Sequence, residues 1–320
     1  MPRFNKFSEK IGSVMIDNPR TDNALEWINV VQPGKKEIDY LRKRFNFDLS
    51  HLRASMSTVS SQRPIISQEG SYLFLILHFP TFSGDRVVAG EIEFFVGHEY
   101  LVTLHNGNLP ALTEFFNYCK KNTDDLLSYD LESSAILLYE ILNRLLKGVY
   151  TLLDRNSLNI NQVEETIFAK EQKKAVAEIL DLRRNVVNIR KIMQNHKNIL
   201  QKLMEMESSL VPNNIIRKHY AQLVDDSKRI WEMLENQKEM IEIFNSTNES
   251  LLNDQMNMIM KTLTIFSVIV FPLSLIAGIF GMNAVYMPIV QGPFGFWIIL
   301  GIMVLGSIGM LVFFARKRWL

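Results

Sequence analysis

The sequence predicts an α+β domain followed by a long helical stalk and two C-terminal transmembrane helices. Three observations support this fold class. Runs rich in aromatic and β-branched residues lie before about residue 125, amphipathic helical periodicity dominates after it, and residues 262–315 form a run of 54 residues with no charged side chain. We therefore predict an α/β domain at 1–125, a helical hairpin and stalk helix at 126–260, and a membrane domain at 261–320.

The first region carries both strand and helix signals. Three runs are rich in aromatic and branched residues and predict strands of a mixed or antiparallel sheet: "YLFLILHF" at 72–79, "GEIEFFVG" at 90–97 and "EYLVTLH" at 99–105. "SGD" at 83–85 is typical of the turn between the first two strands. The segments "KKEIDYLRKRF" and "LPALTEFFNYCKK" have the pattern of helices.

The second region has only helical patterns. Apolar residues recur every three or four positions from about residue 131, and a second such run covers about Val163 to Met206. Pro212 interrupts the pattern, and neither proline nor glycine occurs again before Pro272. This absence permits one helix from about Ile215 to Phe280, roughly 100 Å long at 1.5 Å per residue. Such a helix needs packing partners in water.

The third region is long enough for two helices that cross a bilayer, since each needs about 20 apolar residues. We predict spans at 262–280 and 296–315, joined by an external loop at 281–295; a buried helical hairpin is the less favoured alternative. Positive charge after the second span indicates a cytoplasmic end, so both termini are expected in the cytoplasm of a cell-membrane protein. The residues that carry this charge are Arg316, Lys317 and Arg318.

Composition argues against several classes of function. The net charge is +1, which does not favour nucleic-acid binding, and the single cysteine fits a reducing compartment. "QPGKKEID" lacks the spacing of a phosphate-binding loop, and neither a metalloprotease motif nor a Cys/His cluster is present. We therefore expect that the protein is not an enzyme and that it binds no organic cofactor.

One stripe of the predicted long helix mixes polar, small and apolar residues and continues into the first span. Two interpretations fit it: a packing face with close helix contacts, or the lining of a pore. The stripe alone does not decide between them. Its members are Asn257, Met260, Leu263, Ser267, Phe271, Ser274, Gly278 and Gly281.

The end of the first span decides the interpretation. Gly281, Met282 and Asn283 form the tripeptide "GMN", preceded by "PLSLIAGIF", followed by "MP", and the chain closes with "KRWL". With the Asn257/Met260/Leu263 spacing, this C-terminus resembles the CorA family of magnesium and cobalt transport proteins. The resemblance is close over about residues 257–320; the preceding two-thirds matches only in the order of its elements.

The resemblance implies a homopentameric funnel whose pore is lined by the first span and whose outer selectivity site is the GMN ring. Magnesium dehydrates reluctantly, so Asn283 amide oxygens, helped by Gly281 carbonyls, would bind it with its water shell retained. A neutral amide would hold the hydrated ion without trapping it. Met282 would serve packing. The expected function is magnesium uptake down the membrane potential, with Mg²⁺ as both cargo and regulator.

The resemblance also implies a gate and a sensor. Met260 and Leu263 are candidates for an apolar constriction. Phe271 is a third candidate where the family more often has a smaller or unbranched apolar residue, and two alternatives are open for it: narrowing the pore or facing away from it. Regulatory magnesium would bind acidic groups between the α/β domain and a neighbouring stalk, for which Asp85, Asp225 and Asp226 are candidates.

Three features depart from the family pattern. Gln222 stands where an acid is favoured, Ile289 follows "MP" in place of an acid, and the helical hairpin before the basic ring at 316–318 is less acidic than usual. Transport of cobalt, nickel or zinc on the same scaffold remains an alternative, although Met282 favours magnesium. A non-conducting, membrane-anchored sensor or scaffold is the alternative from a different class.

Overall fold

The computed structural model describes residues 8–17, 24–55, 63–84, 86–121, 133–206, 214–282, 292, 294–317 and 319. By their contacts, these residues divide into two compact units, 1–244 and 245–320. The described part contains six strands and eight helices. The strands are β1 (Ile11–Asp17), β2 (Ala24–Val31), β3 (Ile65–Glu69), β4 (Tyr72–Ser83), β5 (Arg86–Val96) and β6 (Tyr100–His105). The helices are α1 (Lys35–Phe45), α2 (Leu49–Ala54), α3 (Pro110–Lys121), α4 (Ser134–Phe168), α5 (Gln172–Met193), α6 (His196–Glu205), α7 (Asn214–Phe280) and α8 (Gly295–Arg316).

The six strands form one mixed sheet in the order β1-β2-β6-β5-β4-β3. All neighbours are antiparallel except β2 and β6, which pair in parallel from Glu26 opposite Tyr100 to Val31 opposite His105. The predicted strands at 72–79, 90–97 and 99–105 are therefore confirmed as β4, β5 and β6. The strands β1, β2 and β3 and the short helix α2 were not predicted.

Each face of the sheet is covered by helices. On one face, apolar residues of β2, β4, β5 and β6 pack with α1, α2 and Phe47 in a single buried cluster. On the other face, the fully buried ring of Trp27 lies 5.4 Å from the ring of Phe115 and 5.0 Å from that of Phe116, both on α3. Burial of such large rings stabilises this domain, since stabilisation scales with apolar area removed from water.

Capping interactions satisfy free backbone groups at the ends of α1 and α4. Glu37 accepts a 2.9 Å hydrogen bond from the Gly34 N–H before α1, and Asn46 ends that helix in a left-handed conformation with φ 54°. Ser133 accepts a hydrogen bond from the Ile136 N–H and so caps the long helix α4.

The second predicted helical run, 163–206, is wrong in its boundaries. Residues 163–168 belong to α4, which ends because Lys170 adopts a φ of 66°, a conformation that continues no helix. The remainder is two helices, α5 and α6, with a turn at residues 194–195. In contrast, the continuous helix predicted from about Ile215 to Phe280 is confirmed by α7, and Pro272 lies within it.

Four ionisable side chains form a buried cluster beside the turn between α5 and α6. His78 on β4 lies 2.7 Å from the Glu91 carboxylate opposite it on β5, and the neighbouring Glu93 bonds to Glu91. Burial and the charge of Glu91 raise the pKa of Glu93 well above its usual range. His196, at the start of α6, is fully buried against the ring of Phe79. Burial and the nearby His78 lower the pKa of His196 to about 4.

Candidate functional site

Seven of the eight residues of the predicted pore stripe lie on α7, and Gly281 follows directly after this helix. Leu263 is 63% exposed and Met260 60% exposed within a single chain. Among the described hydrophobic residues of 245–320, only Ile265 and Phe314 are buried. So much apolar surface cannot face water in a stable protein, so it must be covered by lipid or by further copies.

The hydroxyl groups near the stripe bond to their own helix. Ser267 donates a 2.8 Å hydrogen bond to the Leu263 carbonyl, and Thr264 does the same to the Met260 carbonyl. Because these bonds satisfy the hydroxyl hydrogens, Ser267 fits a sealed bundle as well as a pore. As in the sequence, the stripe does not distinguish a packing face from a pore lining, and the support for a pore comes from the GMN end.

Gly281 ends α7 in a way that no larger residue could reproduce unchanged. Its N–H donates a 2.9 Å hydrogen bond to the Ala277 carbonyl, and the Met282 N–H donates to the Ile279 carbonyl at 3.3 Å. A Cβ built at Gly281 would lie 2.9 Å from the Ala277 oxygen, closer than such atoms approach in proteins. The glycine thus lets the chain leave the helix tightly just before position 283.

Several predicted site residues lie outside the part of the chain that the structure describes. These are Asn283 of the GMN stretch, the proposed sensor residue Asp85, and Arg318 of the basic tail. Most of the predicted external loop at 281–295 lies outside it as well. Arg316 and Lys317 are exposed at the end of α8, as expected for a helix that leaves the apolar region there.

The two stalk aspartates differ in environment. Asp225 is exposed, whereas Asp226 is half-buried and its backbone carbonyl accepts a 3.2 Å hydrogen bond from the Tyr150 hydroxyl. Burial, followed by the charge of Asp226, raises the pKa of Tyr150. Gln222 accepts a 3.2 Å hydrogen bond from the Tyr139 hydroxyl. The two tyrosines beside the stalk were missed, because nothing in the α4 pattern separates them from ordinary helix residues.

Within the described residues, no group of three or more His, Cys, Asp or Glu side chains is arranged to hold a metal ion. The acidic candidates on the stalk therefore do not make a complete metal site from the described residues of one chain. Such a site would need Asp85 or ligands from another copy.

Two helices of the described chain, α7 and α8, are long and apolar enough to cross a membrane. None of the side chains in the most apolar window of α7 is buried, and only 6% of those in the window of α8 are. A core helix of a water-soluble protein would instead be buried on most sides.

Comparisons with known proteins agree with this architecture. The family model described as "CorA-like Mg2+ transporter protein" matches residues 22–317. The cobalt/magnesium transport protein CorA of Methanocaldococcus jannaschii is 23% identical over 93% of this chain and 92% of its own length. The magnesium transport protein CorA of Haemophilus influenzae is 25% identical over 96% of each chain.

A solved structure shows the same fold. The complete structure of the CorA magnesium transporter from Methanocaldococcus jannaschii superposes with a TM-score of 0.85 at 22% identity, covering 96% of this chain and 98% of that one. The predicted fold class is confirmed. The chain therefore belongs to the CorA-like Mg2+ transporter family, and it is a divalent metal ion transporter with two C-terminal transmembrane helices rather than an enzyme.

Proposed function

We propose that five copies of this chain surround one pore and admit hydrated magnesium into the cytoplasm. The observation that carries the proposal is the tight exit of the chain from α7 at Gly281, the first residue of the GMN stretch and two positions before Asn283. In a ring of copies, this geometry would bring the amides of Asn283 and the carbonyls of Gly281 close to the axis. Amide and carbonyl oxygens accept hydrogen bonds from the waters around the ion.

The membrane potential is sufficient to drive uptake. A divalent ion that crosses 100 mV gains about 4.6 kcal/mol, twice the value for a single charge. That energy supports a concentration ratio of roughly a thousandfold, since each 1.4 kcal/mol is worth a factor of ten. Transport of Mg²⁺ therefore requires no nucleotide hydrolysis.

Below the selectivity ring, the stripe supplies a gate. Met260, Leu263 and Phe271 are all strongly exposed in the single chain, with Phe271 at 71%. Rings of such side chains around a narrow axis would exclude water, and a hydrated divalent ion does not enter a dry constriction. Seven residues other than Gly281 are proposed to line the pore because they share one face of α7: Asn257, Met260, Leu263, Ser267, Phe271, Ser274 and Gly278.

Cytoplasmic magnesium would close the pore by binding between copies. Asp225 is exposed and free to meet Asp85 of a neighbour, and Asp226 lies one position further along the stalk. Filling the site would relieve repulsion between carboxylates and hold adjacent copies together. In protein carrying Asp85→Ala and Asp225→Ala, uptake should become insensitive to magnesium on the cytoplasmic side. Inhibition of uptake that persists at the wild-type magnesium concentration would exclude these two residues.

Ion flux into proteoliposomes tests the main proposal. Purified protein should take up magnesium faster when the interior is made negative, and cobalt, nickel and zinc in parallel vesicles determine the preferred ion. Asn283→Ala should remove most of the uptake while the oligomer, measured by light scattering, is retained. Wild-type protein that forms an oligomer but moves none of the four ions would instead support a non-conducting sensor or scaffold.

A further inference from the structure

Helix α5 has an apolar face that nothing in the described chain covers. The buried face of the helix includes Ile179, Leu182, Val186 and Ile189. On the opposite side, Val176, Leu180 and Val187 are 42%, 58% and 48% exposed. Basic residues fill the spaces between them. We call this face the basic stripe, and it consists of Lys173, Val176, Leu180, Arg184, Val187 and Lys191.

Helix α5 carries a large excess of positive charge. The helix carries six basic residues and two acidic ones, so its surface is electropositive. One basic residue of the stripe has a local partner, since Arg184 bonds to Asp181 at 2.9 Å, but both side chains stay well exposed. Exposed pairs of this kind contribute little stability. The positive field therefore remains available to an acidic surface.

A complementary surface lies on α7 of the same chain. Residues 232–242 contain four glutamates and one lysine. Met240 on this stretch is 40% exposed, so it too combines charge with accessible apolar area. We call residues 232–243 the acidic stretch. Like the segment from Val176 to Val187, it covers 11 residue steps, or about 16 Å of helix.

Within one chain, α5 and α7 contact each other through a pair of oppositely charged side chains. Arg190 of α5 bonds to Glu235 of α7, and its guanidinium lies 5.1 Å from the centre of the Trp231 ring. This pair joins a basic residue of α5 to an acidic residue of α7 through a charge-assisted bond and a cation–π contact. It leaves the basic stripe exposed, together with Glu232, Glu239 and Glu242 of the acidic stretch. Glu242 also pairs with Lys238 at 3.5 Å, and both side chains of that pair stay well exposed.

We propose that the basic stripe of one copy docks on the acidic stretch of the next copy around the ring. This inference rests on the proposed homo-oligomer and adds the surface by which its cytoplasmic parts are joined. Five acidic stretches around one axis would repel one another unless opposite charge covered them. A contact between two different surfaces of identical chains closes into a ring, whereas a twofold contact would stop at a dimer.

Cysteine cross-linking in the full-length protein tests the docking. The only native cysteine, Cys119, is buried and does not compete. Leu180→Cys lies at the middle of the basic stripe, and Asn236→Cys lies at an exposed position in the middle of the acidic stretch. When two differently tagged single variants are co-expressed and oxidised, a dimer carrying both tags should form, while neither variant alone should cross-link. The double variant should give a ladder of higher bands.

Leu158→Cys provides the matched control, because it is an exposed leucine on α4, outside the basic stripe, at 69% exposure. Paired with Asn236→Cys, it should not cross-link. An intact oligomer without the Leu180 cross-link, or with an equal Leu158 cross-link, would overturn the docking and leave the proposed pore standing. Monomeric protein would overturn both.

A lipid surface is the competing partner for a basic, partly apolar helix face. Leu180→Cys protein in nanodiscs with and without anionic lipid distinguishes the two. Protection from a maleimide reagent in both membranes, lost when the oligomer is dissociated, supports docking between copies. Protection only in anionic nanodiscs, without the cross-link, would assign the stripe to the membrane and overturn the proposal.

Discussion

Replacing the buried His196 by leucine should remove a large part of the acid sensitivity of the compact unit 1–244. The imidazole is fully buried, and its pKa in the folded protein is about 4, compared with 6.5 for an exposed histidine. Because folding lowers this pKa, the histidine is protonated in the unfolded chain but neutral in the folded chain at pH values between about 4 and 6.5. Stability from this group is therefore complete above about pH 6.5 and is lost as the pH falls towards 4.

The size of the effect follows from the two pKa values. At pH 5, the unfolded state gains about 2 kcal/mol from protonation of this one histidine, because each pKa unit is worth 1.36 kcal/mol. In a unit of this size, 1 kcal/mol moves the unfolding temperature by roughly 2–4 °C. Relative to pH 7.5, wild-type protein at pH 5 should therefore lose about 4–8 °C on account of His196 alone.

The assay is thermal unfolding of the full-length protein in detergent, followed by tryptophan fluorescence at pH 7.5 and pH 5. For each protein, the unfolding temperature at pH 5 is subtracted from that at pH 7.5. A change in packing caused by leucine affects both temperatures equally and cancels in this difference. Wild-type protein should show a drop that is larger by about 4–8 °C than that of His196→Leu. As a control, Leu203→Ala at a buried apolar position of the same helix should keep the wild-type drop, because it removes no titratable group.

Equal drops in wild-type and His196→Leu protein would refute the reasoning, since the buried imidazole would then not be held neutral by the fold.

Glu93 acts in the opposite direction. Its folded pKa is raised, so its contribution is complete below its ordinary pKa and is lost as the pH rises through the folded value. Glu93→Gln should therefore enlarge the drop in unfolding temperature between pH 7.5 and pH 5, because it removes a group whose contribution to stability increases as the pH falls.

Three further predictions concern the transporter and its packing. Gly281→Ala should lower magnesium uptake into proteoliposomes at least tenfold, because its Cβ would lie 2.9 Å from the Ala277 oxygen and must shift the GMN stretch. Gly301→Ala is the control: a Cβ at this position meets no other atom, so uptake should stay at the wild-type level. Leu263→Ala should raise ion leak through a widened constriction, and an unchanged flux in vesicles would remove this residue from the gate. Tyr220→Phe should lower the free energy of unfolding by about 0.5–1.5 kcal/mol, because the buried hydroxyl donates a 2.8 Å hydrogen bond to the Ala135 carbonyl of α4. A denaturant titration with no change would show that this hydrogen bond adds no net stability.

The sequence alone determined the features that depend on local pattern. A run of 54 uncharged residues can only be accommodated in an apolar environment, so the two C-terminal spans followed from composition. The absence of proline and glycine between Pro212 and Pro272 was sufficient to predict the continuous helix α7. The GMN stretch and its position identified the family without any knowledge of the fold.

The tertiary structure decided what depends on residues distant in sequence. Strand β2 pairs in parallel with β6, some 70 residues later, and no local pattern specifies such a partner. His78 and Glu91 look like surface residues in sequence, but the register of β4 and β5 places them opposite each other in a buried layer with His196. The basic stripe of α5 became visible only when the packing showed which side of that helix is covered, because a sequence gives the periodicity of a face and the fold decides what meets it.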